Sequence, residues 1–179
     1  MSTQSAPGAW EWVAERPGPS GFVQVTTVTY RLPDGRRADW DLVTGPDAVA
    51  VLALTRSKEV ILARQFRPGP AAILDELPGG LVDPGEMPAE AAGRELLEET
   101  GYRGKVELVG WLPPAANMTR RNWVAVAQDC ERVAEPSLGP YEYIEVVTRP
   151  LEVFRRDLRS SRITDLGSAY LALDHLEYL

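Results

Sequence analysis

Three glutamates near the middle of the chain, Glu95, Glu98 and Glu99, are the residues whose types and spacing point most directly to chemistry. They lie within residues 89–100, an uninterrupted run of good helix formers that is followed by Gly101, so we predict a helix there. At roughly 100° per residue the three carboxylates share one arc of that helix. Like charges at this spacing repel one another by roughly 0.2–0.5 kcal/mol per pair, and divalent cations would relieve the repulsion. The alternative is a solvated acidic face.

The same helical wheel predicts the face that packs on the rest of the protein. It collects Ala89, Gly93, Leu96, Leu97 and Thr100. Gly93 would let the helix approach its sheet closely. Arg94 lies on the flank, where it is already an i,i+4 partner for Glu90, so it is not obviously free to neutralise all three glutamates.

The remaining elements are predicted from periodicity and turn residues. Residues 22–32 alternate apolar and polar side chains, and a Pro-Asp-Gly turn leads to a returning strand at 37–43. Two β-rich runs at 48–54 and 59–66 predict central strands. We predict further strands at 105–112, 122–129 and 143–147, and helices at 151–158 and 168–179. Strands on both sides of a central helix indicate an α/β fold with helices on both faces of the sheet.

We predict two parts in the chain. Residues 1–45 would form a small N-terminal antiparallel β-sheet after eight or nine disordered residues, and residues 46–179 would form the catalytic domain. Because a sheet of two or three strands is marginal alone, it needs another surface, and a second subunit could supply one.

Composition limits the classes of function. A formal charge of −7 and a sequence pI of about 4.8 argue against nucleic-acid binding, which needs a basic face. With one cysteine, Cys130, the chain cannot form an internal disulfide or a cysteine zinc cluster. With one histidine, His175, a Ser-His-Asp triad would have no choice of histidine. No apolar stretch approaches the roughly 18 residues that span a bilayer, and no signal segment is visible, so we expect a cytoplasmic protein without membrane contact.

Residues 80–102, GLVDPGEMPAEAAGRELLEETGY, resemble the Nudix box. Eight of its positions are matched at the required spacing, namely Gly80, Glu86, Arg94, Glu95, Leu96, Glu98, Glu99 and Gly101. Tyr102 is aromatic where an aliphatic residue is more usual. The resemblance implies a Nudix α/β/α sandwich with a mixed sheet and a hydrolase that uses Mg²⁺ or Mn²⁺.

The resemblance also implies roles for these residues. Glu95, Glu98 and Glu99 would be the metal ligands, with the backbone carbonyl of Gly79 as a further ligand. Glu98 and Arg94 would belong to the catalytic machinery, Arg94 by orienting the carboxylates. Glu86 would support the preceding loop or contact a metal through water.

Two further segments resemble the branch of ADP-ribose and nucleoside-diphosphate-sugar pyrophosphatases. They are ARQFRPGP at 63–70 and DELPGGLVDPGE at 75–86, and residues 163–176 resemble that branch's closing helix. This implies hydrolysis of a nucleoside diphosphate sugar, with Arg67 and Glu76 among the substrate-binding residues. Arg67 would contact phosphates or, alternatively, pair with Asp75 or Glu76. The turn at 112–117 departs from that branch, which leaves the sugar open.

Four residues outside the box complete the predicted site. By resemblance, Trp40 and Phe22 would stack on the nucleobase, often as part of a homodimer, although a strand tryptophan can also be plain core. Glu142 would be the general base, with Glu145 as the fallback and two exposed strand residues as the ordinary alternative. A housecleaning nucleoside triphosphate pyrophosphatase and a non-catalytic Nudix ligand sensor remain the competing functions.

Overall fold

The computed structural model describes residues 11–18, 23–160 and 163–179. The chain divides into two compact units. One comprises Met1–Gly45 and Pro113–Arg120, and the other comprises Pro46–Leu112 and Arg121–Leu179. The segment Pro113–Arg120, which the sequence interpretation placed with the catalytic domain, thus groups with the N-terminal residues. No helix within the described ranges is long and apolar enough to cross a membrane.

The first unit contains a three-stranded antiparallel sheet in the order β1-β2-β3. Its strands are β1 (Glu11–Pro17), β2 (Gln24–Arg31) and β3 (Arg37–Thr44). The predicted hairpin is present, and Gly35 takes the positive φ of +84° that its turn requires. Strand β1 was not predicted, because its residues carry no clear alternation. The first eight or nine residues, whose disorder was expected, lie outside the described residues.

The second unit contains a seven-stranded mixed sheet. Its strands are β4 (Ala48–Thr55), β5 (Glu59–Arg67), β6 (Ala72–Glu76), β7 (Gly79–Leu81), β8 (Tyr102–Leu112), β9 (Asn122–Arg132) and β10 (Glu145–Pro150). The main path runs β10-β5-β4-β9-β8, with β6 on β5 and β7 on β4. Only the β4–β9 pair among these ladders is parallel. The predicted mixed sheet is therefore confirmed.

Helices cover both faces of this sheet, as predicted. Helix α1 (Pro88–Thr100) packs on one face against a buried cluster that includes Val51, Ile61 and Ala125. Helices α2 (Leu151–Asp157) and α3 (Leu166–His175) cover the other face, around Leu52, Phe154 and Leu173. Strand alternation explains the division, because successive side chains of β4 and β5 point to opposite faces.

Helix α1 is present where it was predicted, but its buried face differs. The buried positions are Ala91, Ala92, Leu96, Glu99 and Thr100, whereas Ala89 is exposed. Ala91 and Ala92 are small and let the helix lie close to the sheet. Compared with the predicted face, the helix is rotated about its axis, and this rotation carries Glu99 inward. The predicted role of Gly93 was wrong, because a Cβ there would meet only Val106 Cγ2 at an ordinary 3.8 Å.

The short strands β6 and β7 were also missed by the sequence interpretation. Their residues fall in a segment punctuated by proline and glycine, which indicates loop rather than strand. The backbone at Gly79 pairs with Ala50 of β4, and a Cβ at Gly79 would overlap the carbonyl oxygen of Val49. Glycine is therefore required for β7 to approach β4.

Candidate active site

Strand β7 and helix α1 meet at the two consecutive glycines. A side chain at Gly80 would occupy the space of the Glu95 carboxylate, so the missing Cβ makes room for that group. Gly79 donates its backbone N–H to Glu99 Oε2 at 2.9 Å. The glycines thus bring backbone of the loop directly onto the acidic side of the helix.

Glu99 is the most buried of the three predicted ligands, with 5% of its surface exposed. Burial raises the pKa of Glu99 to about 8, and the charges of Glu95 and Glu142 act in the same direction. The Gly79 N–H and the charge of Arg67 oppose the shift. A carboxylate held in this environment gains from any cation that is placed beside it.

Arg94 connects three of the predicted carboxylates. Its guanidinium binds Glu86 at 2.8 and 2.9 Å, Glu95 at 2.8 Å and Glu98 at 3.2 Å, and it also donates to the carbonyl oxygen of Leu81 at 3.0 Å. These hydrogen bonds lower the pKa of Glu86 to about 2. Burial raises the pKa of Glu95, with Arg94 opposing. Arg94 therefore contacts two of the three helix glutamates, Glu95 and Glu98, as its predicted orienting role requires.

Arg67 forms the second cluster of the site. It binds Glu76 through Nε at 2.8 Å to both carboxylate oxygens and through Nη2 to Oε2. Glu76 is 3% exposed and also accepts a hydrogen bond from Gln65 at 3.2 Å. The pairing that the sequence left open is thus with Glu76, while Asp75 pairs instead with Arg64. The Arg67 side chain keeps 46% of its surface exposed.

The two candidate bases lie in different surroundings. Glu142 is exposed and accepts a hydrogen bond from the Gly139 backbone N–H at 2.6 Å, and its charge acts on both Glu95 and Glu99. Glu145 begins β10 beside Arg64, at 3.7 Å from its Nη1. Of the two, Glu142 is the one whose charge acts on the helix glutamates Glu95 and Glu99.

Trp40, one of the two predicted base-stacking residues, belongs to the first unit. Trp40 lies on β3 opposite Val28 and is 47% exposed, so it is not a core residue. Phe22 lies outside the described residues.

The donor set suits a hard divalent cation, because carboxylate and backbone carbonyl oxygens are the ligands that Mg²⁺ and Mn²⁺ prefer. In residues 11–18, 23–160 and 163–179, however, no three or more Asp, Glu, His or Cys side chains are grouped so as to hold a metal ion as they stand. Arg94 and the Gly79 N–H take up the carboxylates of Glu95, Glu98 and Glu99. The residues fit the ion by type, and the ligand assignment stays a prediction.

One acidic residue near this site was missed by the sequence interpretation. Asp165 immediately precedes α3, a position where aspartate ordinarily caps a helix. Burial raises the pKa of Asp165, as does the nearby charge of Glu76, while the Arg67 charge lowers it. The sequence carries no signal for this placement, because capping explains such an aspartate equally well.

A glycine-lined loop set against an acidic helix, on a mixed sheet with helices on both faces, defines the class of the protein. The family model of the NUDIX domain matches residues 44–163, and the chain belongs to this family. It is therefore a Nudix hydrolase, as the box predicted. Hydrolases of this family generally need a divalent metal ion.

Characterised relatives lie within the same family. The chain is 32% identical over 149 residues to the ADP-ribose pyrophosphatase of Bacillus subtilis (strain 168), covering 82% of this chain and 80% of the relative. It is 33% identical to the ADP-sugar pyrophosphatase of Mus musculus over an aligned length of 197, covering 99% and 88%. A crystal structure of an ADP compounds hydrolase shares the fold, with a TM-score of 0.80, 22% identity and coverage of 98% and 100%.

Proposed function

We propose that the protein hydrolyses the diphosphate bond of a nucleoside diphosphate linked to a sugar, with ADP-ribose or an ADP-sugar as substrate. Water supplies the oxygen that bonds to one phosphorus, the bridging P–O bond breaks, and a nucleoside monophosphate and a sugar phosphate leave. The two pyrophosphatase relatives support this substrate class. The observation that carries the proposal is the complete box held in place, with Glu99 bound to Gly79 and both Glu95 and Glu98 on Arg94.

Glu95, Glu98, Glu99 and the Gly79 carbonyl would hold Mg²⁺, or Mn²⁺ in its place. When bound, the ion neutralises diphosphate charge and lowers the pKa of the attacking water. Arg94 orients Glu95 and Glu98, since it binds both carboxylates. The Gly79 N–H holds the Glu99 carboxylate in place.

Arg67 and Glu142 supply the remaining functions. Glu76 holds the Arg67 guanidinium by one edge, which leaves a half-exposed cation that can bind a substrate phosphate. Glu142 accepts the proton from the attacking water after it releases the Gly139 N–H. Trp40 is about half exposed, and an adenine base stacks on its indole ring.

The working form of the protein is a cytoplasmic homodimer. The three-stranded sheet of the first unit supports this proposal, because Val28 is the one buried side chain among its described residues. A sheet with so small a core needs an additional surface. The exposed hydrophobic side chains of Val23 and Trp40 are further apolar area for such a contact.

The proposal is tested by a Mg²⁺-dependent hydrolysis screen over ADP-ribose, ADP-sugars, UDP-sugars, GDP-mannose, diadenosine polyphosphates and nucleoside triphosphates. We expect the highest kcat/KM with ADP-ribose or an ADP-sugar. Glu99→Gln should lose about a hundredfold or more in kcat, because a deleted ligand removes several kcal/mol of charge stabilisation.

Glu152→Gln is the matched control, since Glu152 is an exposed helical glutamate of α2 that pairs with Arg155. It should retain the parental rate. Equal rates for Glu99→Gln and the parent would refute the assigned role of Glu99. A preference for nucleoside triphosphates would overturn the substrate class, and binding without turnover would indicate a sensor.

A further inference from the structure

A groove between helices α2 and α3 is lined by three arginines, although the chain as a whole carries a formal net charge of −7. The three are Arg155, Arg156 and Arg159. The volume of the groove is about 390 Å³, which is within the range of small-molecule sites. Its buried lining belongs to the hydrophobic cluster on the face of the sheet opposite helix α1, so the groove is separate from the candidate active site.

The groove stays positively charged after its own ion pair is taken into account. Both carboxylate oxygens of Glu152 accept hydrogen bonds from Arg155 Nη1, at 3.0 and 3.1 Å. Arg156 and Arg159 are exposed, and within the described ranges neither side chain has an ion-pair or hydrogen-bond partner. Two guanidinium charges therefore lack a counter-charge in this part of the protein.

The dipole of α2 accounts for only part of this positive charge. A helix C-terminus is equivalent to a negative charge of roughly half an elementary unit. Arg156 lies in the last turn of α2 and is sufficient to balance it, whereas Arg159 follows the helix. Asp157, the other acidic residue of α2, lines a different cavity, beside Arg149. The groove therefore carries more positive charge than helix stabilisation requires.

The remaining lining residues are apolar or aromatic. Leu158 and Leu173 are 3% and 0% exposed, so they form the base of the groove. Tyr170 of α3 is 42% exposed, and its side chain has no hydrogen-bond partner among the described residues. Guanidinium groups only donate hydrogen bonds, so a ligand here must supply acceptor oxygens together with negative charge.

We propose that this groove binds a phosphate monoester, with Arg156 and Arg159 on the phosphate oxygens and the organic group over Leu158, Leu173 and Tyr170. A phosphate monoester carries a charge of about −1.5 to −2 at pH 7, which matches two unpaired arginines. A guanidinium also binds phosphate oxygens in bidentate fashion. Nucleoside monophosphates and sugar phosphates have this chemistry. The proposal is independent of the proposed hydrolysis.

The test is an NMR titration of the backbone amides with AMP, ribose 5-phosphate and inorganic phosphate, in chelator-containing buffer. It compares the parent with the double variant Arg156→Ala/Arg159→Ala. The matched control is Arg37→Ala/Arg103→Ala, which removes the same charge from two exposed strand arginines. Because all four arginines are exposed, both double variants should fold, and thermal unfolding checks that they do.

We expect AMP and ribose 5-phosphate to shift the amides of residues 155–159 and 170–173. The Arg156→Ala/Arg159→Ala variant should weaken the Kd for AMP, read from these amides, by at least about tenfold, because two charge-assisted contacts are lost. The control should stay within about twofold of the parent. Inorganic phosphate should bind more weakly than AMP, because it has no organic group to place on the leucines.

Equal affinity of the groove variant and the control for AMP would overturn the proposal, as would amide shifts confined to other parts of the chain. Inorganic phosphate that binds as tightly as AMP would contradict the role given to Leu158, Leu173 and Tyr170. Sedimentation with phosphatidylserine–phosphatidylcholine vesicles tests an anionic lipid surface. Vesicle binding that needs Arg156 and Arg159, without amide shifts from AMP, would replace the phosphate monoester by a membrane.

Discussion

Arg94 is the residue on which the charge balance of the acidic helix depends. One guanidinium serves Glu86, Glu95 and Glu98 and also binds the Leu81 carbonyl oxygen. Lysine could not replace it conservatively, because a single ammonium lacks the planar set of five donors that reaches several acceptors at once. The arginine of the box is therefore explained by geometry as well as by charge.

Glu99 leads to a prediction about pH and stability. Its pKa is raised from 4.5 to about 8 on folding, so the folded state binds this proton more tightly than the unfolded state does. The associated stability is fully present below pH 4.5 and is lost as the pH rises through about 8. In chelator-containing buffer, Glu99→Gln should exceed the parent in free energy of unfolding by about 1–2 kcal/mol at pH 8.

Urea unfolding at pH 4 and pH 8 measures this difference. The two proteins should be nearly equal at pH 4, where the parental carboxyl is protonated. Glu86, whose pKa is lowered from 4.5 to about 2 by Arg94, contributes stability that begins to be lost below pH 4.5, but it does so equally in both proteins. A parental advantage at pH 8 would contradict the assigned burial effect.

The choice between the two candidate bases gives a second prediction at this scale. Glu142→Gln should lower kcat by about a hundredfold or more, within the range for removing a general base, whereas Glu145→Gln should stay close to the parent. The charge of Glu142 acts on Glu95 and Glu99, while Glu145 lies beside Arg64. Steady-state kinetics of the two variants decide the matter, and the reverse order of effects would make Glu145 the base.

At the scale of elements, strand β5 sorts its side chains between two environments. Gln65 and Arg67 both bind Glu76, whereas Arg64, which directly precedes Gln65, binds Asp75. The alternation of a strand accounts for this division. The same period explains why a short sequence such as RQFR can place the predicted substrate-binding Arg67 on one face and the Arg64–Asp75 ion pair on the other.

The end of α1 depends on Gly101, and this gives a prediction with a matched control. Gly101 has φ +75°, and a Cβ there would overlap the carbonyl oxygen of Ala134. Gly101→Ala should therefore destabilise the protein by about 1–3 kcal/mol, because both strain and overlap oppose it. Gly93→Ala, in mid-helix with Val106 at 3.8 Å, should be neutral or stabilising by up to about 1 kcal/mol.

Thermal unfolding of the two glycine variants measures the contrast. A loss of stability in Gly93→Ala as large as that in Gly101→Ala would show that α1 tolerates no added methyl group, contrary to the packing described above.

At the scale of the whole molecule, the two units differ in how much core they contain. The large buried clusters all belong to the second unit. From the small core of the first unit we expect a dimer in solution, with about twice the chain mass of 19.7 kDa by light scattering. Dilution should lower the melting temperature of a dimer, because dissociation follows mass action. A monomer mass at every concentration would contradict the homodimer.

The sequence alone determined much of this protein, because its strongest signals are local. Helix periodicity placed α1, strand alternation placed the hairpin and the central strands, and the fixed spacing of the box identified the family and its acidic residues. Each of these depends on neighbours within a few turns or strand steps, and such neighbours can be read from the order of residues.

Only the tertiary structure decided how those residues are surrounded. The burial of Glu99 and the pairing of Arg67 with Glu76 join residues from different elements. Helix rotation and strand register bring them together. A pattern in one segment carries no information about the partner that lies opposite it in the fold.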